Sequence, residues 1–498
     1  MSQMRLQTRM EKLTALLDVG KAMASERNLD RLLQLILGEV TKVMEAERSS
    51  FFLVDRERNE LWSKIAQGLE VREIRIKIGT GISGYVAQTG SILNIEDAYA
   101  DPRFDQDTDR RTGYRTRTIL CGPMLNQLNE VIGVLQVLNK GDGVFTSEDE
   151  DLLLALSSQA AVAVENAILY ENIQKLFEGF IKASVYAIES RDPTTSGHSE
   201  RVAILTGGLA EQVNRADSGP YAAIQFSPED MRELRFASLL HDFGKVGVRE
   251  RVLIKANKLF EHDLDRIVSR FKLIKRSLEN DALRKKLTLA MTPGSGSEGA
   301  LAEVDAELRR RLDEIDDQLR FILEANMPTL LAKGGFERIQ DIAARTFVDV
   351  DGAEVSYLTT QEAESLSIVN GSLTVEERQQ IESHVTHSFR FLRQIPWTRD
   401  LRHVPPIAYA HHERLNGTGY PSGLRNGEIP FQARMMMICD IYDALTASDR
   451  PYRRAIPPDQ ALDILDREAK SGFLDAELVR LFIEGIVWGR TAGMRTGA

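Results

Sequence analysis

Apolar residues near the amino terminus recur every three or four positions: Met10, Leu13, Leu17 and Met23, then Leu32, Leu33, Ile36 and Val40. That is the helical period, so residues 1–28 are expected as one amphipathic helix and a second should begin near Asn28–Asp30. Between Ser49 and Asn139 the period drops to two. SSFFLVD, ELWSKIA, REIRIKI, RTILCGPML and EVIGVLQVL alternate between Gly, Asn and Asp turns, which predicts an α+β domain on an antiparallel sheet. Ser147-Glu-Asp-Glu150 then has the spacing of a capping box, opening a helix expected to run to about Ser190 with only Gly179 in its path. At about 1.5 Å per residue this helix reaches roughly 60 Å. Its stripe Leu153, Leu156, Ala160, Val164 and Ala167 suits a partner helix and predicts a parallel homodimer.

The rest of the chain reads as helical, with a foreign segment at 256–373. There Leu264, Ile267, Phe271, Ile274 and Leu278 keep a 3-4 rhythm, and Leu301, Val304, Leu308, Leu312, Ile315, Leu319 and Ile322 repeat it after the breaker TPGSGSEG. Two such runs around a Gly/Ser tip predict an antiparallel helical hairpin inserted into the second domain.

Composition narrows the function classes. With 498 residues the chain exceeds one hydrophobic core. A net charge of −11 argues against a nucleic-acid polymer as partner. Cys121 and Cys439 sit singly in apolar runs, which fits a reducing, cytoplasmic compartment. The amino terminus alternates charged and apolar residues rather than presenting a signal-peptide core. No stretch reads as apolar enough to cross a bilayer, so no membrane partner is expected.

Chemistry concentrates around five of the eight histidines and one pair of aspartates. His198 follows the loop RDPTTSG. His241-Asp242 closes a helix that Ser227-Pro-Glu-Asp230 caps. His384 lies on the inward face of a helix opened by Thr374-Val-Glu-Glu377. His411-His412 precede the glycine-rich turn RLNGTGYPSGL, and Asp440 and Asp443 stand one turn apart in an apolar helix. A carboxylate buried in such a run needs a partner, and imidazoles converging with carboxylates suit iron, manganese or zinc. Adjacent histidines point in diverging directions, so one backbone segment can serve two ions. His262, His387 and His403 have no such neighbours.

Taken in order, HSERV, HDFGKVGV, His384, HHERLNGTGYPSGL and ARMMMICDIYDALTASDRPYR resemble the HD-GYP family of bacterial cyclic di-GMP phosphodiesterases. The resemblance implies an all-α HD-type domain in two segments, 185–255 and 374–485. It makes His198, His241, Asp242, His384, His411, His412 and Asp440 metal ligands, with Asp242 bridging two divalent transition ions, iron or manganese. Lys245 would stabilise the attacked phosphate, and Tyr420, Arg450 and Arg453 would approach cyclic di-GMP. Glu413 is expected to orient a ligand histidine, and Asp443 either to do likewise or to serve as a cap or core hydrogen-bonding group. The chain departs from the family at Asn416, where aspartate is common. It departs also at Thr194, where some members carry a glutamate for a third metal.

GTGISGYVAQTG, DPRFDQDTDRRTGYRTRTILCGPM, GVLQVLNK and FTSEDEDLL resemble a GAF sensor domain over 29–170. Asn139, Lys140, Phe145, Asp149 and Glu150 reproduce its N-K-F-D-E signature, found in GAF domains some of which bind cAMP or cGMP. Lys140 and Asp149 could equally form a surface clasp between the last strand and the outgoing helix. The expected plan is therefore a helix at 1–28, the GAF domain, a signalling helix at 171–190, the split catalytic domain with its insertion, and a tail at 486–498. Hydrolysis of another cyclic nucleotide, or non-catalytic binding of cyclic di-GMP with signalling through the insertion, stay open as alternatives.

Overall fold

A computed structural model describes residues 17–23, 25–63, 74–191, 196–292, 298–447 and 455–494. The chain forms two compact units, residues 1–179 and 180–498.

In the first unit, Asn28 caps helix α1 (Leu29–Val43) by accepting from the Arg31 amide. Six strands follow: β1 (Ala46–Asp55), β2 (Glu60–Ser63), β3 (Ile74–Lys77), β4 (Leu93–Ile95), β5 (Ile119–Leu125) and β6 (Val131–Lys140). They pair antiparallel throughout in the order β3-β2-β1-β6-β5-β4. Strand β4 and the helices α2 (Gly81–Thr89) and α3 (Gln106–Thr112) carry too few residues for a periodic signal. Alternation along β1 sends Phe51 and Leu53 into one core and Phe52 into another. The first core is closed by α1, by Val19 and Met23, and by helix α4 (Ser147–Glu189).

Four sequence expectations change here. Residues 1–16 lie outside the described residues, and Leu17, expected on the apolar side of the first helix, is exposed. The capping box of α4 sits one residue earlier than read, since Thr146 and Asp149 exchange the reciprocal bonds. The stripe Leu153, Leu156, Ala160, Val164 and Ala167 is not available to a second chain, because it is buried in this unit's own core. Finally, α4 does contain an 18-residue window of mean hydropathy 1.6, long and apolar enough to cross a membrane; 44% of that window is buried inside the protein. The apolarity that passes this test includes the residues that cover the sheet.

The second unit is helical: α5 (His198–Arg215), α6 (Pro228–Leu240), α7 (Glu250–Leu253), α8 (Glu261–Met291), α9 (Glu298–Ala325), α10 (Gly335–Ala343), α11 (Thr360–Leu366), α12 (Val375–Leu392), α13 (Val404–Tyr409), α14 (Phe431–Thr446), α15 (Pro458–Lys470) and α16 (Ala476–Glu484), with a two-stranded hairpin of β7 (Thr346–Val348) and β8 (Glu354–Ser356). Complete capping boxes open α6 at Ser227–Asp230 and α12 at Thr374–Glu377. The pairs Lys275–Asp316 and Lys286–Asp305 run in opposite order along α8 and α9, which therefore form an antiparallel hairpin.

This hairpin shares its own core, from Leu259 to Leu366, with α10, α11 and the β-hairpin. The two ends of the segment meet. Ser372 donates to the Lys255 carbonyl at 3.1 Å, and the buried Lys255 ammonium lies 2.7 Å from Glu377 of α12. The large buried side chains of the hairpin lie toward its base, at Ile267, Phe271, Ile274, Ile315 and Ile322, whereas Leu283 and Leu287 nearer the tip are exposed.

Candidate metal centre

Four helices and two loops bring the predicted ligands together. His198 is the first residue of α5, His241 caps the end of α6, and Asp242 starts the short turn after it. His384 lies within α12, His411 and His412 follow α13, and Asp440 lies in α14. Gly244 allows this convergence, since a Cβ there would fall 1.9 Å from the His384 carbonyl oxygen. Ser388 locks the same contact, accepting from the Gly244 amide and donating to the His241 carbonyl, each at 2.7 Å.

Three of the imidazoles are oriented alike. Nδ1 of His241, His384 and His411 lies 2.7, 2.6 and 2.6 Å from the carbonyl oxygen three residues earlier. A carbonyl only accepts, so each Nδ1 carries a proton and each ring turns Nε2 toward the centre; burial holds His241 and His411 below the usual imidazole range, which leaves their Nε2 as bare lone pairs. Those three Nε2 atoms are buried without a hydrogen-bond partner. Orphaned acceptors of this kind are costly, and here they converge.

Asp242 divides its oxygens between two groups of imidazoles. Oδ1 lies 3.2 Å from His384 Nε2 and 4.0 Å from His411 Nε2. Oδ2 lies 3.5 Å from His241 Nε2, 3.8 Å from His198 Nε2 and 2.7 Å from Lys245 Nζ. Asp440 stands 3.2 Å from His198 Nε2 and 3.9 Å from His412 Nδ1. Donors about 2.0–2.1 Å from one ion are separated by about 3.0–3.4 Å, so the shorter of these spacings match edges of coordination polyhedra. Ligand atoms of His384, His411 and His412 lie within 4.8 Å of one another, as do those of His198, His241 and Asp242. The donor set thus fits metal ions, and nitrogen with carboxylate suits iron, manganese or zinc.

The surrounding charges agree. Burial pushes His411 well below the usual imidazole range, and pushes His412 down to about 4. Burial also opposes protonation of His198, but hydrogen bonds to Asp440 and Asp443 outweigh it and raise the group to about 9. Asp242 is held well below the carboxylate range: burial raises it, and Lys245 with the neighbouring imidazoles more than reverses this.

The supporting residues are only partly as expected. Asp443 accepts from His198 Nδ1 at 2.8 Å and so orients that ring. Its partner was missed: buried Arg201 grips both Asp443 oxygens at 2.8 and 3.0 Å. The arginine is visible in HSERV, but nothing in sequence spacing links it to a residue 242 positions away. Glu413 does not orient a histidine. Its carboxylate accepts from the Ser422 and Leu424 amides, each at 2.8 Å, and holds the glycine-rich loop in place. Asn416 closes a turn onto Thr418. The Tyr420 ring lies 4.8 Å from that of His412, and burial raises its phenol above the usual range. Arg450, Arg453 and Thr194 lie outside the described residues.

The GAF signature has a different character. Lys140 and Asp149 pair at 3.2 Å, buried rather than at the surface, and Lys140 also donates to the Met44 carbonyl. Asn139 accepts from the Arg117 amide and donates to Glu47, Tyr114 and the Arg115 carbonyl. Phe145 is buried, and Glu150 accepts from Asn94.

Comparison with known proteins follows the same division. A GAF domain model matches residues 28–164, and HD domain models match 195–322 and 360–478. The chain joins a GAF domain to an HD domain. HD domains are metal-dependent hydrolases, in keeping with the histidine and aspartate clusters. A stretch of 173 residues, 32% of the chain, is 39% identical to a probable 3',5'-cyclic phosphodiesterase of Caenorhabditis elegans. The match covers 24% of that relative, so the chain spans about a quarter of its length. Among solved structures, the GAF domain of a Coxiella burnetii phosphoenolpyruvate-protein phosphotransferase is 23% identical, covering 33% of this chain and 98% of that one at a TM-score of 0.31. A free methionine-R-sulfoxide reductase of Neisseria meningitidis is 20% identical, covering 32% and 91% at a TM-score of 0.28.

Proposed function

We propose that the HD domain is a phosphodiesterase of the HD-GYP type that hydrolyses cyclic di-GMP, with two iron or manganese ions, under control of the GAF domain in the cytoplasm. The observation that carries this reading is the convergence of three orphaned Nε2 atoms on Asp242, whose two oxygens face different groups of imidazoles. His384, His411 and His412 would hold one ion, His198, His241 and Asp440 the other, with Asp242 between them. Bound there, such ions supply Lewis-acid polarisation of a phosphodiester and a nucleophile at neutral pH.

The chain's own residues do the rest. Lys245 sits at the edge of Asp242 and offers its ammonium to a phosphate oxygen as charge develops. Tyr420 keeps its proton and donates it in a hydrogen bond, while its ring borders the substrate space. Beside His412 and Tyr420 lies a cavity of about 400 Å³, floored by Met437 and rimmed by Arg378, Glu382 and Thr418. That volume lies in the range of small-molecule sites and suits one nucleotide half of a cyclic dinucleotide. Arg450 and Arg453 belong to this proposal by resemblance. A cyclic phosphodiesterase among the relatives supports the reaction class.

The test is the full chain reconstituted with iron or manganese and given cyclic di-GMP, cyclic di-AMP, cGMP and cAMP separately. The expected products are linear pGpG or GMP from cyclic di-GMP alone. Consumption of another nucleotide in its place, or tight binding of cyclic di-GMP without turnover by fully metallated protein, would overturn the proposal.

A further inference from the structure

Helix α12 carries two charged side chains that the metal centre does not use. Arg378 and Glu382 both line the cavity beside His412 and Tyr420, the arginine exposed and the glutamate half-buried. Four residues apart on a helix, they are neighbours, roughly 5–6 Å apart at Cβ, and an ion pair between them is the ordinary arrangement. That pair does not form. Among the described residues neither side chain makes an ion pair or a hydrogen bond, and both border the cavity instead. The Tyr420 phenol responds to both: burial raises it most, Glu382 adds to the rise and Arg378 opposes it.

The other charges around the cavity are committed elsewhere or stand apart from this pair. Glu413 is held by the Ser422 and Leu424 amides, and the Arg414 guanidinium lies 4.7 Å over the Phe473 ring. Glu468 reaches the cavity from a different helix, α15. Buried Met437 and Leu474, with Ile441, give the walls apolar surface.

Apolar walls with a free carboxylate next to a free guanidinium describe the chemistry of an occupant. A flat ring there has to offer donors to the carboxylate and, on the adjoining edge, acceptors to the guanidinium. Guanine does both, with N1–H and the 2-amino group as donors and O6 and N7 as acceptors. Adenine does not. Its 6-amino group would meet the guanidinium, donor against donor, and its N1 would meet the carboxylate, acceptor against acceptor.

We infer that Glu382 and Arg378 select guanine in one half of the substrate, the carboxylate accepting from N1–H and the 2-amino group while the guanidinium donates to O6 and N7. This rests on the phosphodiesterase reading above and adds to it the residues that choose the base. Neither residue is among the predicted metal ligands, so base choice and phosphate chemistry fall to different groups of the same site.

The test compares cyclic di-GMP with cyclic di-IMP, whose hypoxanthine lacks only the 2-amino group, on the full chain loaded with manganese. Wild type should favour cyclic di-GMP in kcat/KM by about 10- to 100-fold, the worth of a hydrogen bond to a charged group. Glu382→Gln should shrink that preference about tenfold, with the loss falling mainly on KM. Arg378→Gln should instead lower both substrates alike, by about tenfold, because both keep O6 and N7. A ratio of two substrates does not depend on the active fraction, so partial misfolding of a variant cannot imitate the Glu382 result. If wild type hydrolyses cyclic di-GMP but Glu382→Gln leaves the ratio unchanged, or Glu468→Gln shifts it in its place, the inference is overturned and the phosphodiesterase reading stands. Unchanged rates in Arg378→Gln would remove the guanidinium from the assignment. A fully metallated wild type that turns over neither nucleotide would overturn both the inference and the reading beneath it.

Discussion

The GAF signature and the HD centre are both dense clusters of buried polar side chains, and they differ in what those side chains touch. Around Asn139 and Lys140 the side-chain groups have protein partners: amides, carbonyls, a phenol and carboxylates. Around Asp242 three imidazole nitrogens have none, although burial makes such a vacancy expensive. A cluster that satisfies itself is a fastening. A cluster whose lone pairs point at one another across a few ångströms needs a cation to be stable. The N-K-F-D-E residues therefore act as a clasp between β6 and α4.

The strongest way to break this contrast is Asp242→Asn. An amide neutralises two ions poorly, so turnover should fall by about 100- to 1,000-fold or more and metal content should drop, with the circular dichroism retained. Wild-type turnover and full metal loading would refute the bridging role. Gly244→Ala comes next. The new methyl would collide with the His384 carbonyl, and forcing the turn away from α12 should cost about 1–3 kcal/mol or more while separating His384 from Asp242. Unchanged stability and metal content would show that the close approach is not required.

Asp443→Asn tests orientation rather than ligation. Metal affinity or activity should fall about 10- to 100-fold, with the GAF melting transition unmoved; a titration indistinguishable from wild type would remove Asp443 and Arg201 from the site. In the other region, Asn139→Ala takes the acceptor from the half-buried Arg117 amide and from the buried Thr118 amide. It should destabilise the first unit by about 1–3 kcal/mol and leave metal stoichiometry intact, as elemental analysis and calorimetry would show.

The smallest expected effect is a separation by pH. Asp149 is held below its ordinary value: burial raises it, but the Thr146 amide and Lys140 outweigh burial. Its contribution is complete above the unfolded carboxylate range, about pH 4, and is lost only as pH falls further, through the lowered folded value. His198 is instead raised to about 9, since its hydrogen bonds to Asp440 and Asp443 outweigh burial, so protons compete for this predicted ligand as pH falls through that value. Acidification from about pH 10 to 7 should therefore weaken metal binding while the first unit's melting temperature stays constant. Simultaneous loss of both would contradict the contrast.

Much of this was legible in the residues. Alternation marked five of the six strands described in the first unit, capping boxes marked the starts of α6 and α12, and all seven predicted ligands fall within one centre. Each rests on a local rule: strand period, cap spacing, or a carboxylate that an apolar run cannot bury alone. The errors share a cause too. The stripe at Leu153–Ala167 read as a dimer face because spacing reveals that a face is apolar and not what covers it. The cap of α4 slipped by one residue because Thr146 and Ser147 offer the same hydroxyl, with Asp149 and Glu150 offering the same carboxylate.

The sequence by itself determined which imidazoles and carboxylates lie in apolar settings, because such groups are costly to bury without a partner. Only the tertiary structure decided their partners. Glu413 could orient a histidine or tether a loop, and the fold placed the Ser422 and Leu424 amides against it. Arg201 met Asp443 because α5 and α14 pack together, 242 residues apart in the chain. A hydrogen bond extends about 3 Å, so which pairs lie within that reach is settled by packing and not by order along the chain.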